Sequence, residues 1–294
     1  MTDFITRFAP SPTGDLHLGS AYSAMLAFEA ARAVGGRCLL RIEDVDHTRC
    51  RAEYTDSILD VLAWLGLNWD TPVRRQSDHI DDYRQALKSL ETRGLVYRCF
   101  KSRAEIEAER IARGIADDDV AIEGVGIVYR GPATPLTPAE EREKLDAGAP
   151  YAWRLSLARA KEGLGETYDT LSYYEEGADR RTPRARQALP DGAGDVVLWR
   201  KDGAPSYHLA VVHDDALQGV THVIRGEDLE SSTPIHVLLQ RLLDLPTPIY
   251  RHHRLLVGSD NKRYSKRDQS LSIRALRDGG ATPSDIRDRI ENAL

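Results

Sequence analysis

The apolar positions of the first hundred residues alternate between the spacing of a strand and the spacing of a helix. Short apolar runs at residues 4–8 and 38–42 predict buried strands. Apolar residues at helical spacing predict helices over about residues 19–34, 58–65 and 79–93, and a glycine follows each of these segments. Because strands and helices take turns, we expect residues 1–100 to form the first half of an α/β domain with a parallel sheet.

This pattern stops between residues 101 and 190, where the chain is charged and rich in glycine and proline. The change predicts an inserted α/β subdomain with mobile loops. The stretch holds an acidic run at residues 117–119. It also holds a basic cluster, namely Arg180, Arg181, Arg184 and Arg186. We regard this cluster as a candidate contact for RNA phosphates, because local arginine patches make such contacts.

The α/β pattern returns over residues 191–250, which we expect to complete the catalytic sheet. Apolar runs at 196–199, 207–212 and 220–224 predict strands, and a helix is predicted over about residues 234–243. Residues 251–294 hold a charged loop and a closing helix. This last part has room for a short helical segment only.

Composition narrows the class of protein. No apolar run among the 294 residues approaches the roughly 18 that a membrane helix needs, and the N-terminal segment lacks the pattern of a secretory signal. Three scattered cysteines, Cys38, Cys50 and Cys99, argue against a disulfide framework. We therefore expect a cytoplasmic protein that contacts no membrane. The sequence leaves the oligomeric state open, and a monomer is the default expectation. The net charge of −6 argues against binding nucleic acid through bulk charge but not through local patches.

The strongest local motif is the segment APSPTGDLHLGS at residues 9–20. A proline-rich turn leads from a predicted strand into a predicted helix whose first turn carries His17 and Gly19. Helix N-termini present unpaired N–H groups that bind phosphate, and a glycine lets a nucleotide approach the backbone closely. A histidine beside them can donate to phosphate oxygens as charge develops. The motif therefore predicts a nucleotide site in which His17 is catalytic.

A second motif, RYSKR at residues 263–267, follows the second half of the predicted sheet. A lysine on a mobile loop can stabilise a triphosphate as pyrophosphate leaves. Alone, a charged loop of this kind is typical of solvated surface. Its place after the sheet favours a role for Ser265 and Lys266 in binding ATP.

A third set of residues stands at or near the ends of predicted strands. Arg7 precedes the proline-rich turn, and Arg225 follows the strand at 220–224. Two guanidinium groups facing one pocket suit an acidic ligand, because arginine pairs with carboxylates in a planar and often bidentate way. Glu43, which follows the strand at 38–42, could accept from an ammonium group, and Tyr207 offers a hydroxyl.

These motifs resemble those of the class I aminoacyl-tRNA synthetases. Residues 9–20 are similar to the HIGH signature in the form typical of the glutamyl and glutaminyl branch. Residues 263–267 resemble the KMSKS loop, with Arg263 in place of the first lysine. The resemblance covers nearly the whole chain and implies a Rossmann-like catalytic domain that activates an amino acid with ATP and Mg²⁺.

In the glutamyl branch the matching positions hold glutamate. The resemblance thereby assigns glutamate binding to Arg7, Ala9, Ser11, Glu43, Tyr207 and Arg225. It assigns ATP binding to His17, Gly19, Ser265 and Lys266, with His17 and Lys266 catalytic. Arginine at both positions favours glutamate over glutamine, because an uncharged amide would leave a buried guanidinium unpaired.

The chain ends soon after the KMSKS-like motif, where full-length glutamyl synthetases continue into an anticodon-binding domain. We expect no such domain here, and the sequence is closest to the short glutamyl-Q tRNA(Asp) synthetase family. Val211, where full-length enzymes usually carry asparagine, agrees with this interpretation. The resemblance implies activation of glutamate without tRNA and its transfer to the queuosine base of tRNA(Asp).

Three alternatives share part of this pattern. A minimal glutamyl-tRNA synthetase that charges a tRNA 3′ end would carry every motif. A nucleotidyltransferase of the same superfamily would carry the His-x-Gly helix start, but gives no reason for Arg7, Glu43 and Arg225 together. A non-catalytic RNA-binding paralogue would not need both ATP motifs intact.

We expect no zinc site. The short family often binds zinc through a Cys-x-Cys pair, a tyrosine and a further cysteine. Here Lys101 stands at the second position after Cys99, Tyr129 matches the tyrosine, and Ala133 stands where the last cysteine would fall. One thiol and one phenol do not make the closed four-coordinate site that structural zinc prefers.

Two further clusters invite a metal interpretation. We interpret residues 213–215, His-Asp-Asp, as a turn that follows the strand at 207–212, and the pair His252-His253 lacks a third ligand at suitable spacing. No metal is expected at either.

Overall fold

The computed structural model describes residues 3–113, 121–122, 126–132, 134–177, 182–256 and 272–293. The strands are β1 (Ile5–Phe8), β2 (Arg37–Ile42), β3 (Asp70–Arg75), β4 (Val96–Cys99), β5 (Ala121–Ile122), β6 (Gly126–Ile127), β7 (Ala152–Leu155), β8 (Ser172–Glu175), β9 (Arg184–Gln187), β10 (Val197–Trp199), β11 (His222–Gly226) and β12 (Ile249–His253). The helices are α1 (Leu18–Ala33), α2 (Ala52–Trp64), α3 (Ile80–Thr92), α4 (Arg103–Ala112), α5 (Pro138–Asp146), α6 (Leu157–Leu164), α7 (Glu166–Asp169), α8 (Tyr207–Leu217), α9 (Thr233–Leu242), α10 (Ile273–Asp278) and α11 (Pro283–Asn292). Short 3₁₀ turns cover Gln76–His79, Pro190–Ala193 and Glu227–Ser232.

The main sheet is built from both halves of the chain. β1, β2 and β3 pair in parallel, and so do β11 and β12. The N–H of Thr221 donates to the carbonyl oxygen of Ile5 at 2.9 Å, which joins the start of β11 to β1. Beyond β12 the sheet continues into β8 and β9. The predicted α/β fold with a parallel sheet is confirmed.

Helices cover both faces of this sheet, because alternate residues of a strand point to opposite sides. In β2, Leu40 and Ile42 belong to a core that includes α1 and α2. Leu39 belongs to a second core, with residues of α3, α8 and α9. Arg41 lies on the same side of β2 as Leu39 and is 0 % exposed, so a charged side chain enters the interior there.

The prediction of a strand at residues 207–212 is wrong, because these residues form the first turns of helix α8. Ser206 is its N-cap, and its hydroxyl accepts from the N–H of Leu209 at 3.5 Å. A short run of apolar residues without alternation fits a buried helix as well as a buried strand. The turn expected at residues 213–215 is therefore also wrong, since Asp214 and Asp215 lie in α8 and are buried.

The next predicted strand exists but lies two residues further along the chain than expected. The strand expected at 220–224 covers His222–Gly226, so Arg225 lies within β11 rather than after it. This placement matters for the site because a side chain within a strand is held more firmly than one in the following loop.

Part of the central stretch forms a second sheet. β4, β7 and β10 pair antiparallel in the order β10-β7-β4. Two of these strands, Val96–Cys99 and Val197–Trp199, lie outside residues 101–190, whereas β8 pairs with β12 of the main sheet. The division of the chain at residues 101 and 190 stays a prediction. In the part of the chain that the structure describes, no helix is long and apolar enough to span a membrane.

Candidate active site

A cavity of about 650 Å³ lies where the loops after β1 and β11 meet the first turn of α1. Its lining includes all the predicted site residues that fall in the described part of the chain: Arg7, Ala9, Ser11, His17, Gly19, Glu43, Tyr207 and Arg225. A larger cavity of about 890 Å³, beside β4 and β7, holds none of them. The smaller cavity is therefore the candidate site, and the role of each residue stays a prediction.

His17 is the N-cap of α1. Its Nδ1 accepts from the N–H of Ser20 at 3.2 Å, so in the neutral ring the proton is on Nε2. An N-cap stands at the positive end of the helix dipole, where unpaired N–H groups bind anions. The arrangement can therefore bind a phosphate group between the imidazole and the first turn of the helix.

Arg7 is held by a residue of α8. Its Nε donates to Oδ1 of Asp215 at 3.0 Å, and both side chains are at most 7 % exposed. Burial alone would raise the pKa of Asp215, but the charges of Arg7 and Arg41 lower it. Among the described residues this guanidinium makes no other hydrogen bond, so its two Nη groups can bind a ligand in the cavity.

Arg41 extends the charge network from the site into the core. Its Nη1 donates to Asp215 at 2.8 Å and its Nη2 donates to Glu43 at 3.1 Å. Burial raises the pKa of the Glu43 carboxyl, against the opposing charges of Arg41 and Arg7. A bound ammonium group would favour the ionised carboxylate, because an opposite charge stabilises it.

Arg225 is held without a carboxylate. Its Nε donates to Nε2 of His252 at 3.3 Å and its Nη2 to Oγ1 of Thr233 at 2.6 Å. Its Nη1 lies 3.1 Å from Nδ1 of His236 and donates to the hydroxyl of Tyr207 at 3.3 Å. Within the described residues no carboxylate lies within 4 Å of this guanidinium, which is 5 % exposed. A buried cation without a counter-ion at a cavity wall favours an anionic ligand.

The imidazoles around Arg225 are neutral at physiological pH. Burial lowers the pKa of His252 to about 3 and that of His208 to about 4, and the charge of Arg225 adds to both shifts. Burial, then Arg225, also holds the pKa of His236 well below its usual value. These rings accept hydrogen bonds, and no carboxylate of the described residues pairs with the guanidinium.

The cavity also contains residues that sequence reasoning missed. Oγ of Ser23 and Nε2 of His253 lie 2.8 Å apart at its edge. A Cβ atom on Gly226 would collide with the carboxylate of Asp228 and lie 2.9 Å from Cδ2 of Leu255, so a larger residue there would require these two side chains to move. No sequence signal marked Ser23 or Gly226, and His253 was considered only as part of a possible metal site.

For Asp215 a signal was present. Asp215 follows Tyr207 by eight residues. In a helix this separation is a little over two turns, so both side chains would lie on neighbouring parts of the helix surface. The strand prediction for 207–212 concealed this relationship. His236 carried no signal, and His252 was considered only for a metal site, because only the packing of α9 and β12 brings the two rings to Arg225.

Some predicted residues lie outside the described part of the chain, namely Ser265, Lys266, Arg180 and Arg181. Residues at the two ends of the segment that contains Lys266 are at the site: Leu256 lines the cavity, and Ser272 forms a backbone bridge with His17. Arg186 is described and pairs with Glu175 and Glu230, each at 3.0 Å. The roles in ATP and RNA binding stay predictions.

The residues aligned with the expected zinc ligands are part of a small apolar cluster. Cys99 packs with Ile106 and Tyr129, and the guanidinium of Arg154 lies 4.8 Å from the ring centre of Tyr129. A thiol and a phenol in such surroundings do not fit a four-coordinate zinc site. Ala133 lies outside the described residues.

Comparison with known proteins gives consistent results. The family model for the catalytic domain of class I tRNA synthetases (E and Q) matches residues 3–291. The chain is 47% identical over 283 residues to the glutamyl-Q tRNA(Asp) synthetase of Rhodobacter capsulatus. The match covers 96% of this chain and 98% of that protein.

Longer relatives match as well. The glutamate–tRNA ligase of Aquifex aeolicus is 37% identical over 284 residues, covering 96% of this chain and 55% of the ligase. A crystal structure of a glutamate tRNA ligase from Elizabethkingia meningosepticum, in complex with its amino acid, superposes with a TM-score of 0.69 at 28% identity. That match covers 90% of this chain and 52% of the other.

Proposed function

The chain belongs to the class I tRNA synthetases of the E and Q type, and on that premise we propose that it activates glutamate with ATP and transfers it to the queuosine base of tRNA(Asp). As a member of this family it is a ligase of the aminoacyl-tRNA synthetase type. In the proposal, glutamyl-adenylate forms without tRNA, and the transfer to tRNA follows as a separate step.

The observation that carries the amino acid specificity is that, in the described part of the chain, no carboxylate forms an ion pair with Arg225. This guanidinium lies in the cavity wall and is surrounded by neutral acceptors. Glutamate would supply the missing anion through its side-chain carboxylate, together with the Nη groups of Arg7 and the hydroxyl of Tyr207. Glutamine would leave the buried cation unpaired, and a loss of this kind can reach about 10⁴-fold in discrimination.

The other groups of glutamate have matching partners in the same cavity. The carboxylate of Glu43 would accept from the α-ammonium group, and Ala9 and Ser11 of the proline-rich turn would contact the backbone of the amino acid. The α-carboxylate would then face the start of α1. This is where His17 and Gly19 are proposed to bind the phosphates of ATP.

In the activation step an oxygen of the α-carboxylate attacks the α-phosphorus of ATP, which enters as its magnesium complex. The bond from that phosphorus to the bridging oxygen breaks, and pyrophosphate leaves with the electron pair. The Nε2–H of His17 stabilises the charge that develops on the phosphate oxygens, and positioning supplies most of the rate. For Ser265 and Lys266 the same role rests on the RYSKR motif alone.

In the transfer step a hydroxyl of the queuosine base attacks the activated carbonyl carbon and AMP leaves. The substrates are those of cytoplasmic translation, and we propose that the protein acts there as a monomer.

A minimal glutamyl-tRNA synthetase is the second candidate, because the chain is also 37% identical to a glutamate–tRNA ligase. It would need the same glutamate and ATP sites. The two candidates differ in the RNA that receives the amino acid.

The test is glutamate-dependent exchange of labelled pyrophosphate into ATP without tRNA, with glutamine as the control amino acid. Labelled glutamate is then offered to tRNA(Asp) with and without queuosine and to tRNA(Glu). Exchange without tRNA and transfer only to queuosine-bearing tRNA(Asp) support the proposal. Exchange that requires tRNA(Glu), with label at its 3′ end, supports the second candidate, and no exchange under any condition overturns both.

A further inference from the structure

His252 is a hydrogen-bond partner of Arg225, and its two ring nitrogens have different partners. Nδ1 lies 2.6 Å from Oε1 of Glu175, and Nε2 lies 3.3 Å from Nε of Arg225 and 3.1 Å from Oγ1 of Thr233. The imidazole is 3 % exposed and sits between β8 and β11 on strand β12. It therefore connects the cavity wall to the far part of the main sheet.

These partners fix the protonation of the ring. A carboxylate only accepts hydrogen bonds, so the proton of His252 must be on Nδ1, where it is donated to Glu175. Nε2 is then an acceptor, which is what the Nε–H of Arg225 requires. Glu175 in turn pairs with Arg186 at 3.0 Å and is 13 % exposed, so its own position is fixed from the opposite side.

As a result, the hydrogen bond to His252 fixes the orientation of the Arg225 guanidinium, while the neutral ring does not reduce its positive charge. A carboxylate in the place of His252 would pair with the guanidinium and compete with an acidic ligand. An apolar side chain would leave the Nε–H without an acceptor, and the guanidinium would rotate to find one. A neutral imidazole with a fixed tautomer avoids both outcomes.

We propose that His252, held by Glu175, is a positioning residue that aims Arg225 at the side-chain carboxylate of the amino acid substrate. This inference rests on the proposed function, in which Arg225 binds that carboxylate. It assigns a role in amino acid specificity to two residues that do not line the cavity.

Two substitutions of the same residue separate the two nitrogens. In His252→Gln the side-chain carbonyl can reach the position of Nε2 and accept from Arg225. In His252→Asn the amide reaches only the position of Nδ1 and leaves Arg225 without its acceptor. The matched control is His222→Asn on the adjacent strand β11, where the imidazole stacks on Phe4 at 4.0 Å.

The measurement is pyrophosphate exchange with the full chain, with glutamate and ATP varied in turn. We expect His252→Asn to raise the KM for glutamate about tenfold or more, in line with the loss of a hydrogen bond to a charged group, with the KM for ATP and kcat within about twofold of wild type. His252→Gln should stay within about threefold, and His222→Asn should match wild type. The ratio of kcat/KM between glutamate and glutamine should fall in parallel with the rise in KM for glutamate.

Glu175→Met is the second variant, in case His252→Asn does not fold. It keeps the imidazole but removes the group that fixes its proton, so it should raise the KM for glutamate in the same direction. An unchanged KM for glutamate in the folded variants, or an equal rise in both KM values, overturns the positioning role while the proposed function stands. Wild-type protein without glutamate-dependent exchange overturns the proposed function and this inference with it.

Discussion

The Nε–H of Arg7 donates to Oδ1 of Asp215 at 3.0 Å in the interior of the protein. Asp215 also accepts from Arg41, so one carboxylate of α8 fixes two arginines of neighbouring strands. This contact places Arg7 at the cavity wall, where its Nη groups make no hydrogen bond to another described residue. It also distinguishes Arg7, which has a counter-ion in the protein, from Arg225, which has neutral partners.

Replacing Asp215 with asparagine should destabilise the fold by about 3–5 kcal/mol, because it leaves buried guanidinium charges without their partner. Chemical denaturation measures this change in the free energy of unfolding. The control is Asp278→Asn, which removes one end of an exposed ion pair with Arg277 and should cost less than about 1 kcal/mol. Equal effects of the two substitutions would contradict the importance assigned to the buried network.

Arg225→Gln should reduce kcat/KM for glutamate by about 10²–10³-fold, because truncating one partner of a buried charge pair costs about 2–5 kcal/mol. It should also bring the values for glutamate and glutamine close together. Arg289→Gln, on the exposed face of α11, is the control and should leave both values unchanged. Retained preference for glutamate in the Arg225 variant would remove this residue from the site of specificity.

His17 has two separable functions, since it caps α1 and is proposed to act on phosphate. His17→Asn keeps a side chain that caps helices well, so stability should change by less than about 0.5 kcal/mol, whereas His17→Ala should cost about 1 kcal/mol. Both variants should lower the rate of pyrophosphate exchange by about 10²–10³-fold, because both lose the donor that stabilises the transition state. Exchange at the wild-type rate in His17→Asn would mean that the residue is a cap only.

The contribution of His208 to folding stability should fall as the pH drops from about 6.5 towards 4. The pKa of His208 is about 4 in the folded protein, against an ordinary value of 6.5, so in this window the unfolded chain binds a proton that the folded chain does not. The stabilisation is complete above pH 6.5 and is lost progressively below it. The pKa values of Asp214 and Asp215 are lowered from the ordinary carboxyl value, so both groups stay ionised in this window and do not contribute.

The check is a comparison of wild type with His208→Gln, with the free energy of unfolding measured at several pH values. In the window between the two pKa values, the wild-type curve should be steeper by up to about 1.4 kcal/mol per pH unit. The comparison cancels the contribution of groups that both proteins share. Parallel curves would show that His208 titrates normally in the folded state.

Much of the site was predictable because its residues lie at fixed distances along the chain from strong local signals. The proline-rich turn between a strand and a helix start places Ala9, Ser11 and His17 together through local geometry alone. Arg7 and Glu43 stand at the ends of parallel strands, and such ends meet at one edge of a sheet. The fold class followed from the same alternation of strand and helix spacing.

Other features were decided only by tertiary structure. The run from Tyr207 to Val212 is compatible with a strand, and what favours the helix is burial on all sides between the sheet, α3 and α9. That helix then carries Asp214 and Asp215 into the interior, where they pair with arginines from other strands. A local pattern reports which residues are apolar, but not which neighbours will bury them.

The environment of Arg225 was also decided only by tertiary structure. Its partners come from α8, α9 and β12, and His252 is itself oriented by Glu175, which is 77 residues away along the chain. The sequence by itself determined that an arginine stands at this position of a parallel sheet. Packing decided that a neutral ring fixes the direction of Arg225 and that no carboxylate of the described residues pairs with it, because hydrogen-bond partners this distant along the chain are brought together only by the completed core.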